Sequence, residues 1–565
     1  MGRSITPIPF PLSKGQAGIW LAHHMAPGCT FYTIAQYTDL DGPIDVAVFE
    51  GAARQVIAET ETLRLRFAET PDGPVQWIEA GLAADWTLPV HDLSGEADPE
   101  PAARRLTRTL LGQPFDLTSD APLFRWHLIR TGTRRWIWFQ AYHHIVLDGL
   151  GLALVKARLA EVYSASLRNE PARGQAFVPL RELLGSPGYG PGTTAWEEDR
   201  AHWLALLAGQ PETVSLAGGG VGWERDFRRE TCVVPQGITD ALATLGKSLG
   251  ATLPAMLAAA VAIYVGRLAG RSETLLGWQV TGRFDAAARR APAMLSNTVP
   301  LRLATAPGDR LAGVVRDAAQ QTRSALGHQR YAHETLRRDL GLEPIAADMF
   351  GTLVNVSSVE RASLFGTTQG LTYNLSNGPV RDLSIVCYEA ASAGMRVDLD
   401  GNTELYTAAE LSRHGRRLLR LFDAIAGASP DTCLSELPLL DDAERADLDG
   451  LGSGAVAPPY RAVTSLIAAQ GCRAAGGSCG ARCRRHGAVP CRPLGLERSH
   501  RSTVGQAWRP AWQANRPSRG ARSRPHRGVA RHPADGRHRP AARPDAAAVS
   551  SGANPGRGRA GGSAG

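Results

Sequence analysis

The chain has 565 residues, 43% of them hydrophobic, and a formal net charge of +8, so it is long enough for several domains and apolar enough to bury a core. The positive balance belongs to one end. Residues 471–565 hold 19 Arg and no Lys against Glu497, Asp535 and Asp545, whereas residues 1–470 carry 43 basic and 51 acidic side chains. A mildly acidic body excludes a basic nucleic-acid groove in the folded part.

Cys29, Cys232, Cys387 and Cys433 are scattered through the body, which suits reduced thiols better than a disulfide framework. Residues 1–16 contain no apolar core of signal-peptide length. The longest apolar run, residues 253–265, is too short to span a bilayer and ends against Arg267. A cytoplasmic monomer with no membrane partner is expected.

In chain order, Ser13 is placed to cap a short helix in which Gln16, Ile19, Trp20 and His23 recur at helical spacing, and a strand with Ile34, Tyr37 and Leu40 follows. Asp45 caps a helix burying Phe49, Ala52, Val56 and Ile57. Leu63, Leu65 and Phe67 then alternate on a strand, Pro71-Asp72-Gly73 turns the chain, and residues 75–79 return. Arg64 and Arg66, out of phase with that alternation, read as a solvated strand face. Residues 123–129 and 136–142 make a second hairpin about Thr131-Gly132-Thr133, and a first lobe ends near Ala176.

The second strand of that hairpin runs into Gln140-Ala141-Tyr142-His143-His144-Ile145-Val146-Leu147-Asp148-Gly149. Two histidines stand at the strand end, and Gly149 opens an amphipathic helix with Leu152, Val155, Leu159 and Val162 on one face. Imidazole titrates near about 6.5, so it can accept or relay a proton at cellular pH, and the N–H groups that begin a helix can meet developing negative charge. A paired His with an Asp four residues on also fits a metal site or a structural turn, and the motif alone leaves those readings open.

In the second half, Trp196, Trp203 and Leu207 share one face of a helix over 194–208, as core residues do. A strand over 227–234 and two helices follow, the second after Thr252 with Pro254 in its first turn. Gly246-Lys247-Ser248 lacks the earlier glycine of a P-loop, since Ala241 stands there, so ATP chemistry is unsupported. Residues 275–283 and 294–302 read as strands, followed by His328-Gln329-Arg330 to Asp339, residues 350–356 and 373–386, and a helix over 408–425.

HHxxxDG in a strand-to-helix setting resembles the signature of the condensation domains of nonribosomal peptide synthetases, relatives of chloramphenicol acetyltransferase. Leu12-Ser13-Lys14-Gly15-Gln16-Ala17-Gly18-Ile19-Trp20 is similar to the family's first motif and Glu61-Thr62-Leu63-Arg64-Leu65-Arg66-Phe67 to its second. Glu61-Thr62 replaces the usual His and Glu there, as in the subgroup that opens enterobactin-type siderophore synthetases. Residues 275–283 and 294–302 are similar to the fifth and sixth motifs, and the resemblance spans residues 8–440 in family order. It implies an α/β (α+β) fold with two chloramphenicol-acetyltransferase-like lobes in a V-shaped pseudo-dimer. Residues 1–176 form the N-terminal lobe, 177–440 the C-terminal lobe and 441–470 a linker towards an adenylation domain.

The resemblance also implies the chemistry. The amine of an acceptor aminoacyl thioester attacks a donor acyl thioester, each presented on the phosphopantetheine arm of a carrier protein. Donor and acceptor carrier proteins are the implied partners, siderophore-type biosynthesis the implied setting, and no cofactor or metal is bound by the chain. Thioesters are already activated, so the task is positioning and proton management. His144, His143, Asp148 and Gly149 form the implied catalytic set, with Arg283 and Asn355 supporting it. Within it His144 meets the incoming amine, His143 packs inward and Asp148 pairs with Arg283. Gly149 allows close backbone approach and exposes an N–H to the thioester oxygen, and Gly151 stands where many relatives have Ser. An ester-forming or coenzyme A-dependent acyltransferase would use the same histidine, and an inactive synthetase remnant would not use it. A heterocyclising version is disfavoured because it replaces both histidines with aspartates.

Residues 471–565 contain no Ile, Phe, Tyr or Met and have Leu494 and Leu496 as their leucines, the composition of a disordered segment. A natural basic tail, a zinc knuckle using Cys472, Cys479, Cys483 and Cys491, and an out-of-frame translation compete. The cysteine spacings lack a CxxC pair, and Arg without Lys, beginning where an adenylation domain is due, favours the frameshift and a truncated synthetase. Ordering a backbone residue costs about 1–2 kcal/mol, which two leucines and two tryptophans do not offset over that length. Deleting residues 471–565 is therefore expected to leave the melting temperature unchanged in calorimetry, and trypsin should cut the intact chain there first. A trypsin-resistant tail would sink the expectation.

Overall fold

In the computed structural model the described residues are 8–453 except 175–176, 185–188, 210–212, 219–225, 343–348, 358–361 and 389–393, together with 463, 465 and 466. The Arg-rich tail, its four cysteines and the second half of the expected linker, apart from residues 463, 465 and 466, lie outside them. The first half of the chain supplies β1 (Phe10–Pro11), β2 (Thr33–Asp41), β3 (Leu65–Thr70), β4 (Gly73–Ile78), β5 (Val90–Asp92), β6 (Phe124–Arg130) and β7 (Arg135–His143). The second half supplies β8 (Phe227–Val234), β9 (Glu273–Val280), β10 (Asn297–Ala304), β11 (Thr352–Ser357), β12 (Ser363–Phe365), β13 (Thr368–Asn377), β14 (Leu383–Tyr388) and β15 (Met395–Asn402).

These strands make a mixed α/β structure with two six-stranded sheets, ordered β12-β13-β2-β7-β6-β5 and β10-β9-β11-β14-β15-β8, and a small sheet β1-β4-β3. The first order crosses the expected boundary near residue 176. β13 pairs antiparallel with β2, Tyr373 opposite Tyr37, with a bulge between Asn374 and Ser376. Without this hairpin β2 would present a free edge of unpaired backbone groups, so the second half of the chain completes the first lobe's sheet.

Helix boundaries follow local chemistry. Ser13 and Gln16 form a capping box at helix Lys14–His24, Asp45 accepts from Val48 N–H at helix Val46–Glu59, and Thr252 caps helix Leu253–Ala269, which Gly270 ends at φ 63°. The last of these is buried on all sides from Ala255 to Gly266, the pattern of a central core helix. Among the described residues no single helix is long and apolar enough to cross a membrane.

Three expectations change. Residues Glu61–Arg64 form a 3-10 turn, and the strand begins at Leu65. The turn is pinned from both ends, because Thr62 Oγ1 donates to Pro292 O at 2.6 Å and Glu61 accepts from Leu180 N–H at 2.6 Å. Arg64 and Arg66 are not a solvated face. Arg66 is 6% exposed and donates to Asp120 O (2.8 Å) and Ala121 O (3.3 Å), while Arg64 donates to Glu79 O (3.1 Å) and Ala58 O (3.0 Å). Backbone carbonyls take Nη donors of both guanidinium groups, which makes their burial tolerable, while Arg64 Nε is buried without a partner. Finally, the start of the expected linker is helical: Asp442–Ser453 forms a helix tied to helix Ala408–Ala426 by Arg417–Glu444 at 3.1 Å.

Candidate active site

β7 carries His143 to the sheet's end, where its N–H still donates to Leu123 O. The His143 ring is 2% exposed. Its Nδ1 accepts from Ile145 N–H (3.2 Å), so in the neutral ring Nε2 holds the proton and donates to His23 Nδ1 (3.2 Å). Burial, reinforced by His23 and His144, pushes His143 well below the ordinary imidazole value.

His144 lies one residue beyond the strand and faces a cleft. Its N–H donates to Tyr32 O at 2.7 Å, and its Nδ1 lies 2.8 Å from Leu147 O. A carbonyl only accepts, so Nδ1 carries the proton and the Nε2 lone pair is left free. Burial lowers the His144 pKa from its ordinary 6.5, opposed by the Asp148 carboxylate. The ring is therefore neutral at pH 7.

Asp148 does different work. It caps helix Gly149–Leu167 by accepting Gly151 N–H at 2.8 Å. It also forms a two-pronged ion pair with Arg283 (Nη1–Oδ2 2.6 Å, Nη2–Oδ1 2.8 Å) and accepts Leu295 N–H (2.9 Å) and Ser296 N–H (2.8 Å) on Oδ2. Both side chains are 1% exposed. Arg283 donates further to Thr281 O, Ala291 O and Ala293 O. With five donors on its two oxygens Asp148 has no lone pair aimed at a substrate or a metal.

The tight glycine is Gly151 rather than Gly149. A Cβ at Gly149 would meet nothing within 4 Å, whereas one at Gly151 would lie 2.9 Å from Leu147 Cδ2 and 3.3 Å from Ala293 N. Gly151 thus lets the 291–293 segment close over the helix start, where a Ser would force a shift. Asn355 sits on β11 opposite Val386 of β14 and is not among the groups that meet His144 or Asp148.

Two contributors escaped the sequence reading. His23, assigned to a helix face, accepts the hydrogen bond from the proton that His143 carries on Nε2. Gly378, at φ 91°, lets its chain pass the catalytic-face ring, since a Cβ there would lie 3.0 Å from His144 Cδ2. Gly378 stands before Pro379 and after a strand, a turn signal that says nothing of what it touches.

His144 opens onto a cleft of about 2010 Å³ lined from the first lobe by helix Lys14–His24, Phe31 and Tyr32, and from the second by residues 294–298, 329–338 and 379–384 among others. Among the described residues no group of three or more His, Cys, Asp or Glu could hold a metal ion.

A family model described as the condensation domain matches residues 9–449. The chain is 35% identical over 432 residues to the dimodular nonribosomal peptide synthase of Bacillus subtilis (strain 168), covering 76% of this chain and 18% of that protein. It is 34% identical to the isonitrile lipopeptide synthase of Streptomyces coeruleorubidus (81% and 31% covered) and 28% identical to enterobactin synthase component F of Escherichia coli (strain K12) (81% and 36% covered). The chain thus spans between 18% and 36% of these relatives' lengths. A variant of the starter condensation domain of rhizomide synthetase in complex with C8-CoA superposes with a TM-score of 0.71 at 37% identity, over 76% of this chain and 98% of that one. With a family match across both lobes and a neutral strand-end histidine at the cleft between them, the chain belongs to the condensation-domain family of nonribosomal peptide synthetases, amide-forming acyltransferases.

Proposed function

We propose that this chain joins the amine of an aminoacyl thioester to an acyl group delivered as a second thioester. The C–N bond forms as the donor C–S bond breaks, and the amine proton passes by way of His144 Nε2 towards the leaving thiolate. One observation carries this reading: Nδ1–H of His144 is given to Leu147 O, which leaves Nε2 as the acceptor in the cleft. Gly149 N–H, at the first position of its helix, is suited to the thioester oxygen as charge develops there. His143 and Asp148 act through others, His143 by anchoring the strand end and Asp148 by fixing the helix start.

Donor and acceptor arms are supplied by carrier proteins, and the chain itself adds no cofactor. An acyl donor of lipid type is favoured over a siderophore precursor. Phe31, Met294, Leu295 and Phe350 line the cleft, a solved relative of 37% identity holds C8-CoA, and the isonitrile lipopeptide synthase is 34% identical. The siderophore reading rests on Glu61-Thr62 and on the 28% identity with enterobactin synthase component F. A cytoplasmic location fits the four free thiols among the described residues, with burial pushing Cys387 up to about 12.

The test is mass spectrometry of C8-CoA or a C8-loaded carrier mixed with an aminoacyl-loaded carrier. An amide product supports the reading. Product formed with a hydroxyacyl acceptor alone assigns an ester-forming enzyme, and a folded chain that gives neither product is the inactive remnant.

The pH dependence follows from the direction of the His144 shift. The base works when neutral, and its pKa lies below 6.5, so kcat/KM is expected to hold as pH falls to about 6.5 and to drop only below that. Stability moves the same way. His143, His144 and His23 all titrate below 6.5 when folded, so below that pH the unfolded chain binds more protons and unfolding is favoured. A rate limb centred above pH 7 would remove His144 as the titrating base.

A further inference from the structure

Arg330 has no family role assigned above, yet it stands on the cleft wall held between two aromatic rings. Its guanidinium carbon lies 4.0 Å from the ring centroid of Tyr189 and 4.0 Å from that of Phe284. Two aromatic faces hold the planar group in one orientation by cation–π attraction and leave its N–H edge open. The acids beside it are engaged elsewhere. Asp199 accepts Tyr189 OH (2.6 Å) and pairs with His328 (2.7 Å), and Asp285 accepts Ala288 N–H (2.7 Å). Among the described residues Arg330 has no ion-pair partner.

The surroundings continue the pattern. Lys14 stands over the Trp196 ring at 5.6 Å, and Trp196 packs on Tyr331, the residue after Arg330, at 5.2 Å. Arg330, Tyr189, Phe284 and Lys14 all line the cleft that contains His144. A fixed fork of donors with no acid paired to it, on a wall of the substrate cleft, fits a phosphate ester: its oxygens match the fork, and the ordering cost is already met by the rings.

We infer that Arg330, with Lys14 on the wall of the same cleft, binds the phosphate ester at the far end of a pantetheine thioester arm. The inference rests on the thioester reading above and deepens it, because any arm that brings its thioester carbon to His144 trails a phosphate, whether joined to a carrier protein or to coenzyme A. It gives Arg330 a positioning task, holding the arm so that the thioester stays at the histidine, with no contact to the reacting atoms.

The experiment is equilibrium binding to the full chain by calorimetry, using phosphopantetheine, coenzyme A and pantetheine, so that it does not depend on turnover. The wild-type chain is expected to bind phosphopantetheine about 10- to 100-fold more tightly than pantetheine, the scale of one charged hydrogen-bonding partner. Arg330→Gln should collapse that ratio towards one, and Arg330→Lys, which keeps charge but not the fork, should retain part of it. Equal affinity for phosphopantetheine and coenzyme A assigns the site to the phosphate that both share, and tighter coenzyme A binding assigns it to the free coenzyme. A phosphate preference without amide formation would overturn the reaction and leave the site standing. No preference in the wild-type chain, or a preference that survives in folded Arg330→Gln, overturns the site.

Discussion

His144→Ala is expected to cut single-turnover amide formation by about 10²–10⁴-fold, the span of a positioned general base, while the melting temperature stays close to that of the parent. The ring is partly exposed to the cleft, and its Nδ1–H donates to Leu147 O. Removing it leaves a carbonyl that water in the cleft can reach, so the folding cost is that of an ordinary hydrogen bond, about 0.5–1.5 kcal/mol. His143→Ala gives the contrast. It leaves His23 Nδ1 and Ile145 N–H without partners in a buried site, where an unsatisfied group costs about 1–3 kcal/mol. The adjacent histidines should therefore separate, one losing rate and the other stability. Near-normal turnover in His144→Ala, measured with loaded carriers under single-turnover conditions, would take the residue out of the mechanism.

How far the sequence foretold this arrangement depends on the range of each interaction. The caps at Ser13, Asp45, Thr252 and Asp148 close on residues three further along, so residue type and spacing reveal them. The apolar run of β7 delivering two histidines to a helix start is likewise local. The insertion of β12 and β13 beside β2 is not, because it joins residues more than 300 positions apart and leaves no periodic trace. Alternation misread Arg64 and Arg66 for the same reason: it reports which way a side chain points, and cannot report that the carbonyls of Asp120 and Glu79 wait there. Gly149 stood out by its place in a motif, while Gly151 mattered through the distant Ala293. His23 lies 120 residues from the ring it orients, and Gly378 still further from His144. The candidate site was legible where strand, turn and helix are consecutive, and hidden where the second lobe closes on them.

That closure is what Asp148→Ala should break, with the largest stability loss of any single change considered. Asp148 and the helix it caps belong to the first lobe, whereas Arg283, Leu295 and Ser296 come from the second. Truncation strands a guanidinium that is 1% exposed with three carbonyls and no counter-charge, and breaking a buried pair in this way costs about 3–5 kcal/mol. It also removes the acceptor of the Gly151, Leu295 and Ser296 N–H groups. Arg283→Ala should cost less, since the carboxylate would keep its three backbone donors. The double variant should cost less than the sum of the two, because each single change already loses the pair. Denaturant melts of the three variants beside their amide-forming rates decide the matter. Activity is expected to fall in step with stability, as the cleft loses the joint that sets His144 opposite the second lobe. If Asp148→Ala instead melts like the parent and still loses activity, the carboxylate acts on the reaction directly, and the five donors around it serve to tune it rather than to join the lobes.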